Sequence, residues 1–285
     1  MTEEMTLGVD AGLPGRARPQ RPGGGALQLP ADQKDVNGAA FDGPVRQANG
    51  IRTAESVLNP TRSSALFRLA VLGAGHVGPV VARLAVHAGH EVAIATSGDP
   101  DSIALITQVL IPGARPCWAR DAIADADVVV LAMPLHRFLT VNPAPYSGKL
   151  VIDAMNYWPA TDGILPVLED GPAGSSELVA GLLPDSAVVK ALNHIGYHDL
   201  EDNARPVGSL DRRAAGVAGD DPKAVAVVAA FVDQIGYDPV RLAGLRAGRV
   251  LQPGGPVFGA VISRPEFEMV TSAHVLTPAE PIPGR

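Results

Sequence analysis

A single cysteine, Cys117, leaves this 285-residue chain without an internal disulfide or a cluster of cysteine metal ligands. A small half-buried apolar role in a short strand suits that residue better than a reactive thiol. Aromatic residues are scarce at 4%, so a core has to be assembled mainly from Ala, Val and Leu. Positive charge is also short: 23 Lys and Arg face 30 Asp and Glu, for a formal net charge of -7. A chain of that sign lacks the basic field that nucleic acid or an anionic membrane surface requires. No apolar run reaches the length of a membrane span. The first residues lack the charged-then-apolar order of a secretory signal, which makes the cytoplasm the expected location. The chain is nevertheless 46% hydrophobic and 19% charged, enough to bury a globular core.

The apolar content is unevenly spread. Residues 1–65 mix Gly, Pro and opposite charges, as in "GLPGRARPQRPGGGALQLPADQKD", with no sustained period, and read as a disordered extension. From Leu66 the pattern changes. "LFRLAVLG" fits a strand buried on both faces, and Val77, Val80, Val81, Leu84, Ala85 and Ala88 recur at helical spacing before Gly89 stops the helix. "HEVAIAT" supplies a second strand, "ARPCWA" a third, "DVVVLAMP" a fourth, "GKLVIDAMN" a fifth and "SAVVKALN" a sixth, with helical segments between them. Such alternation implies right-handed crossovers and a doubly wound parallel sheet, the Rossmann-type α/β class. "RRAAGVAGDDP" reads as a strand and turn, Pro222 as a helix start, and "GYDPVRLAG" as an edge strand because Pro239 denies it a full ladder. The expected division is an extension over 1–65, a dinucleotide-binding domain over 66–192, a small C-terminal α/β lobe over 193–260 and a flexible tail over 261–285.

Within the first strand–turn–helix unit stands Gly73-Ala74-Gly75-His76-Val77-Gly78, a match to G-x-G-x-x-G. Alone the match is weak in a chain with 31 glycines; the flanking strand and helix are the context it needs. Gly73 would allow the tight turn, Gly75 a close approach of a pyrophosphate, and Gly78 tight packing of helix on strand, while the N–H groups of His76 and Val77 open the helix toward the phosphates. The second strand ends in Thr96-Ser97-Gly98 where an NAD site usually places a carboxylate. Hydroxyls there suit a 2′-phosphate, so NADP(H) is the expected cofactor, and Asp99 reads as a turn residue.

In such a sheet the ligand lies beyond the carboxyl ends of the strands. Ala132, Met133 and Pro134 after the fourth strand and Asn156 after the fifth would border the nicotinamide, with Asn193 and His194 after the sixth as candidate catalytic residues facing a second substrate. A loop-cap or turn role competes at each, and for His136 and His194 the residue type does not decide between the two uses. No Ser-His-Asp order, histidine-rich metal spacing or Gly-Lys-Ser phosphate loop appears, so no metal is expected. Hydride transfer suits a site without a nucleophile, because positioning does most of the work.

From about Arg68 to Gly259 the sequence resembles the NADPH-dependent reductases of the deazaflavin coenzyme F-420. The resemblance rests on "LAVLGAGHVGPVVARLAVHAGHEVAIATS", "ADVVVLAMP", "KLVIDAMNYW", "VVKALNHIG" and the segment from Gly216 to Gly259. Several of these motifs are shared with pyrroline-carboxylate reductases, but the small closing lobe favours the deazaflavin group. The resemblance implies reversible hydride transfer between NADPH and a deazaflavin co-substrate, with Gly73, Gly75 and Gly78 at the pyrophosphate, Thr96 and Ser97 at the 2′-phosphate, and Met133 and Asn156 on the nicotinamide side. It also implies a homodimer. Family members commonly carry a basic residue where this chain has Ser97-Gly98, and "LNHIGYHDLEDNARP" is unusually polar. A reductase of another flavin, a metal or an imine, and a non-catalytic NADP(H)-binding redox sensor, therefore stand as alternatives.

Overall fold

The computed structural model of the chain describes residues 66–276, apart from positions 170 and 172. The extension over 1–65 and positions 277–285 lie outside the described residues. β1 (Arg68–Leu72) leads through the glycine turn into α1 (Val77–His87), followed by β2 (Glu91–Ala95), α2 (Asp101–Leu110), the two-residue β3 (Arg115–Pro116) and α3 (Ala119–Asp125). β4 (Val128–Leu131) is followed by the one-turn α4 (Leu135–Phe138), then β5 (Leu150–Asp153), α5 (Pro159–Asp162), α6 (Pro166–Glu169), α7 (Ser175–Leu182) and β6 (Ala187–Ala191). The chain ends in α8 (Tyr197–Asp202), β7 (Ala214–Gly219), α9 (Pro222–Gln234), β8 (Asp238–Ala243), a 3-10 helix over Leu245–Leu251, and α10 (Arg264–Leu276).

All eight strands join one sheet in the order β3-β2-β1-β4-β5-β6-β7-β8. The first six are mutually parallel, in the Rossmann order 3-2-1-4-5-6. β7 then pairs with β6 antiparallel, and β8 pairs with β7 parallel at the sheet edge. The two closing strands of the C-terminal segment thus extend the parallel sheet itself.

Two apolar layers cover the sheet, and single strands feed both. Leu69 and Val71 of β1 enter one cluster with Val81 and Ala85 of α1 and Val228 and Phe231 of α9. Ala70 and Leu72 enter the other with Ile123 of α3, Leu135 and Phe138 of α4 and Val179 of α7. This two-faced burial explains why the strands read as unbroken apolar runs instead of alternating ones. A third cluster gathers Val240, Leu251, Val257 and Phe267 of the C-terminal segment.

Helix ends follow local rules. Gly89, at φ +90, closes α1 with its N–H on the Val86 carbonyl and that of His90 on Ala85, a Schellman arrangement. Asp221 caps α9 by accepting from the Lys223 and Ala224 N–H groups, with Pro222 in the first turn. The tail departs from expectation: Arg264–Leu276 form a helix, although 261–285 carry little apolar period. Phe267 anchors it at 1% exposure, with Val270 packed on the same cluster and Thr271 buried one turn on, a short face in place of a full apolar stripe.

Candidate functional site

The glycine turn lies where β1 ends, and its three glycines meet three different constraints. Gly73 adopts φ +122, and a Cβ there would meet the Ala132 carbonyl oxygen at 2.3 Å. A Cβ on Gly78 would meet the Gly73 carbonyl oxygen at 1.8 Å, so α1 can begin against the turn only with glycine at this position. Gly75 differs: a Cβ would meet nothing within 4 Å. The protein does not require glycine there, whereas a ligand lying on the backbone would.

α1 opens at His76 without a side-chain hydrogen bond at its cap. Its first-turn N–H groups and the positive end of the helix dipole therefore face outward, as an anion site requires. The His76 ring stacks on Tyr197 with centroids 4.8 Å apart, and Tyr197 touches the His198 ring at 4.0 Å. Beside them a cavity of about 410 Å³ is lined by Gly75, His76, Pro79, Arg83, Tyr197 and Glu201, among others. On its wall Arg83 makes a bidentate pair with Glu201, Nε to Oε1 and Nη2 to Oε2.

At the tip of β2, Thr96 is half-buried and Ser97 exposed. Thr96 Oγ1 accepts the Gly98 N–H at 3.3 Å, which leaves its own proton free to donate outward. Asp99 accepts the Asp101 N–H at 2.9 Å and so serves the start of α2, the turn role read from the sequence. Cys117, just past β3, is buried, and burial pushes its thiol up from the ordinary value.

The ends of β4, β5 and β6 are cross-linked by side chains. Asn156 donates its amide to the Asn193 carbonyl at 2.8 Å, and the Asn193 amide donates back to Asn156 Oδ1 at 2.9 Å and to the Leu251 carbonyl at 2.6 Å. Two acceptors fix the Asn193 amide, and its Oδ1 remains buried without a donor. A carboxamide N–H from a ligand would satisfy it. Ala132 and Met133 are half-buried and Pro134 is exposed along the same edge.

His194 faces elsewhere. It is 2% exposed, accepts the Gly216 N–H at Nε2 and packs edge-on against Phe267. Burial, with Arg213 and Lys190 adding like-charge repulsion, pushes it down to about 3, so it stays a neutral core imidazole. Leu192, the residue joining β6 to this pair, adopts φ +66, a strained left-handed turn that sends Asn193 and His194 to opposite tasks.

Lys190 and Ser176, and the buried ion pair that Asp153 at the end of the fifth strand makes with Lys190, escape a reading of the sequence. Lys190 and Asp153 are fully buried register partners on β6 and β5, with Nζ 3.6 Å from Oδ2. Ser176 donates to the same carboxylate at 2.5 Å. Asp153 Oδ1 accepts the Met155 N–H at 3.0 Å, while Lys190 Nζ donates to the Met155 carbonyl at 3.3 Å. Both polar groups of Met155 are thereby clamped from below, next to Asn156. Burial pulls the Lys190 ammonium down from its ordinary value, with the Asp153 carboxylate opposing that pull.

A second buried carboxylate joins the loop after β4 to that after β5. Asp162 Oδ1 accepts the His136 backbone N–H at 3.0 Å and lies 2.9 Å from His136 Nδ1, while Oδ2 accepts the Trp158 N–H at 2.8 Å. Burial pushes Asp162 up, but the two N–H donors and the imidazole outweigh it and hold the carboxyl below its usual value. Among the described residues no group of side chains forms a metal-binding cluster, and no helix is long and apolar enough to cross a membrane.

The uncapped helix, the open space over Gly75 and the parallel strand ends are the features a dinucleotide site requires. Residues 68–157 match the family model of the coenzyme F-420-dependent NADP oxidoreductases. That match spans β1 to the residues just past β5. A hypothetical protein of Sinorhizobium meliloti is 28% identical, covering 72% of this chain and 98% of its own, with a TM-score of 0.59. An Arthrobacter protein provisionally described as an F-420-dependent NADP reductase is 26% identical, covering 70% of this chain and 100% of its own, with a TM-score of 0.57. No curated protein matches the chain. Together the fold and the family match make the chain an NADP-dependent oxidoreductase with a Rossmann-type sheet.

Proposed function

We propose that the chain transfers a hydride between NADPH and a deazaflavin coenzyme. The observation that carries the reading is the glycine turn within the matched segment 68–157: its second glycine faces open space over an uncapped helix start. When bound, NADPH supplies a hydride from its nicotinamide ring. In this reading Gly73, Gly75 and Gly78 with the His76 and Val77 N–H groups receive the pyrophosphate, and the Thr96 and Ser97 hydroxyls receive the 2′-phosphate. Ala132, Met133 and Pro134 line one side of the nicotinamide, and Asn156 orients its carboxamide. Asn193 acts by holding Asn156 and by its unpaired Oδ1.

The test is direct. Purified protein should bind NADPH more tightly than NADH, and NADPH absorbance should be lost when the oxidised deazaflavin is added. Binding without exchange on the deazaflavin would remove that acceptor and leave the NADP-dependent reading intact.

One observation favours a second acceptor class. The segment after β6 places Tyr197, His198, Glu201 and Asp202 on the cavity beside His76, a more polar wall than a flat deazaflavin ring needs. An imine or another flavin belongs in the same acceptor screen.

A further inference from the structure

The hydride reading leaves one requirement unmet: reducing a deazaflavin or an imine needs a proton as well as a hydride. His194 cannot deliver it, being buried against Phe267 and Gly216. We propose that His136, oriented by Asp162, delivers this proton to the acceptor; the inference rests on the proposed hydride transfer.

The geometry is that of an oriented imidazole. Asp162 belongs to α5, beyond β5, and His136 to α4, beyond β4, so the pair bridges the two loops assigned above to the nicotinamide. The Asp162 side chain is 1% exposed, and that of His136 is 39% exposed. One carboxylate oxygen grips both the backbone N–H and Nδ1 of the same residue, which fixes the ring as well as the loop. With Nδ1 committed to a buried carboxylate, Nε2 is the nitrogen left to act. Asp162 is saturated by three donors and stays ionised, so it can balance an imidazolium without taking the proton itself. A purely structural staple would need only the carboxylate and the backbone N–H, which any residue but proline at position 136 provides.

The step balances. The nicotinamide C–H bond breaks with both its electrons, a C–H bond forms on the acceptor carbon, NADPH is oxidised and the acceptor reduced. The Nε2–H bond of the His136 imidazolium breaks, its electron pair stays on the ring, and the proton goes to the acceptor nitrogen conjugated to that carbon. The ring that remains carries its proton on Nδ1, the tautomer Asp162 holds, and solvent restores the other proton.

Two variants and one spectroscopic readout test this on the full chain. His136→Gln, which keeps a donor for Asp162, and His136→Ala should bind NADPH within about twofold of the parent while kcat falls about 100-fold or more. Added imidazole should restore part of the turnover of His136→Ala, which loss of a staple would not allow. Nitrogen NMR of the neutral ring should place the proton on Nδ1. Turnover of both variants within about threefold of the parent, or a ring proton on Nε2, overturns the inference and leaves the functional reading standing. A parent protein that binds NADPH but reduces neither deazaflavin nor imine overturns both.

Discussion

The two halves of the ligand edge are built by different means. At the ends of β1 and β2 the surface is backbone: three glycines, an uncapped helix start and two short hydroxyl side chains. At the ends of β4, β5 and β6 it is a lattice of side chains, with Asp153, Lys190, Ser176, Asn193 and Asp162 buried, and Asn156 and His136 partly exposed. The first half resembles a socket for phosphate, which needs N–H groups and space. The second resembles a jig, in which the groups proposed to meet a reacting ring are held by others set behind them. Positional tolerance should differ accordingly, being wide for a charged phosphate and narrow for a hydride.

That contrast can be broken experimentally, first at its deepest point. Lys190→Met leaves Asp153 buried without its cation and should cost about 3–5 kcal/mol in denaturant unfolding, whereas the double variant with Asp153→Asn should recover much of it. Equal losses in both would show that the pair contributes packing rather than charge. His194 gives a second handle. In the native protein it stays neutral down to about 3, whereas an unfolded chain protonates it near 6.5. Its stabilising share is therefore complete above that upper value and is lost as pH falls through the window between them, roughly 3 kcal/mol between about pH 6.5 and about pH 4. His194→Asn should flatten this slope in a pH series of unfolding midpoints.

The socket half should respond to smaller, sharper changes. Gly78→Ala drives a Cβ into the Gly73 carbonyl and should lower stability by about 1–3 kcal/mol while removing NADPH binding. Gly75→Ala touches no protein atom, so melting should be unchanged while NADPH binding weakens about tenfold. A pair of glycines three residues apart thus separates a folding requirement from a ligand requirement. Ser97→Asp should weaken NADPH by about tenfold and leave NADH nearly unaffected, since only NADPH carries the phosphate that a carboxylate repels. Equal losses would remove the 2′-phosphate from this tip.

The same contrast explains what a sequence discloses. β1, the glycine turn, α1 and its Gly89 stop are legible because each depends on residues a few positions apart, and the parallel sheet follows from strands that read as apolar runs. The Asn156–Asn193 pairing joins residues 37 apart, His136–Asp162 joins residues 26 apart, and Asn193–Leu251 joins residues 58 apart. No local period marks such partners. Lys190 sits in a strand motif that is easily noticed, yet only the register that sets it opposite Asp153 reveals its burial. His194 was legible as a strand-end histidine, and the left-handed turn at Leu192 that hides its ring was not. For α10 the inward-facing apolar signal among the described residues is Phe267 and Val270 alone, too short to announce a helix.

The antiparallel junction between β6 and β7 has a consequence for how the chain can be divided. After β8 the polypeptide runs back along the sheet as the 3-10 helix, where a Cβ on Gly248 would lie 3.3 Å from Lys190 Cδ. It then fastens to the strand ends it left, through the Leu251 carbonyl to Asn193 and the Gly259 N–H to the His194 carbonyl. A fragment stopped at residue 192 would expose the flank of β6 and lose every one of these fastenings. Amide hydrogens of β5, β6 and β7 should accordingly exchange as one unit, and the halves of this enzyme should prove inseparable by scissors placed anywhere between them.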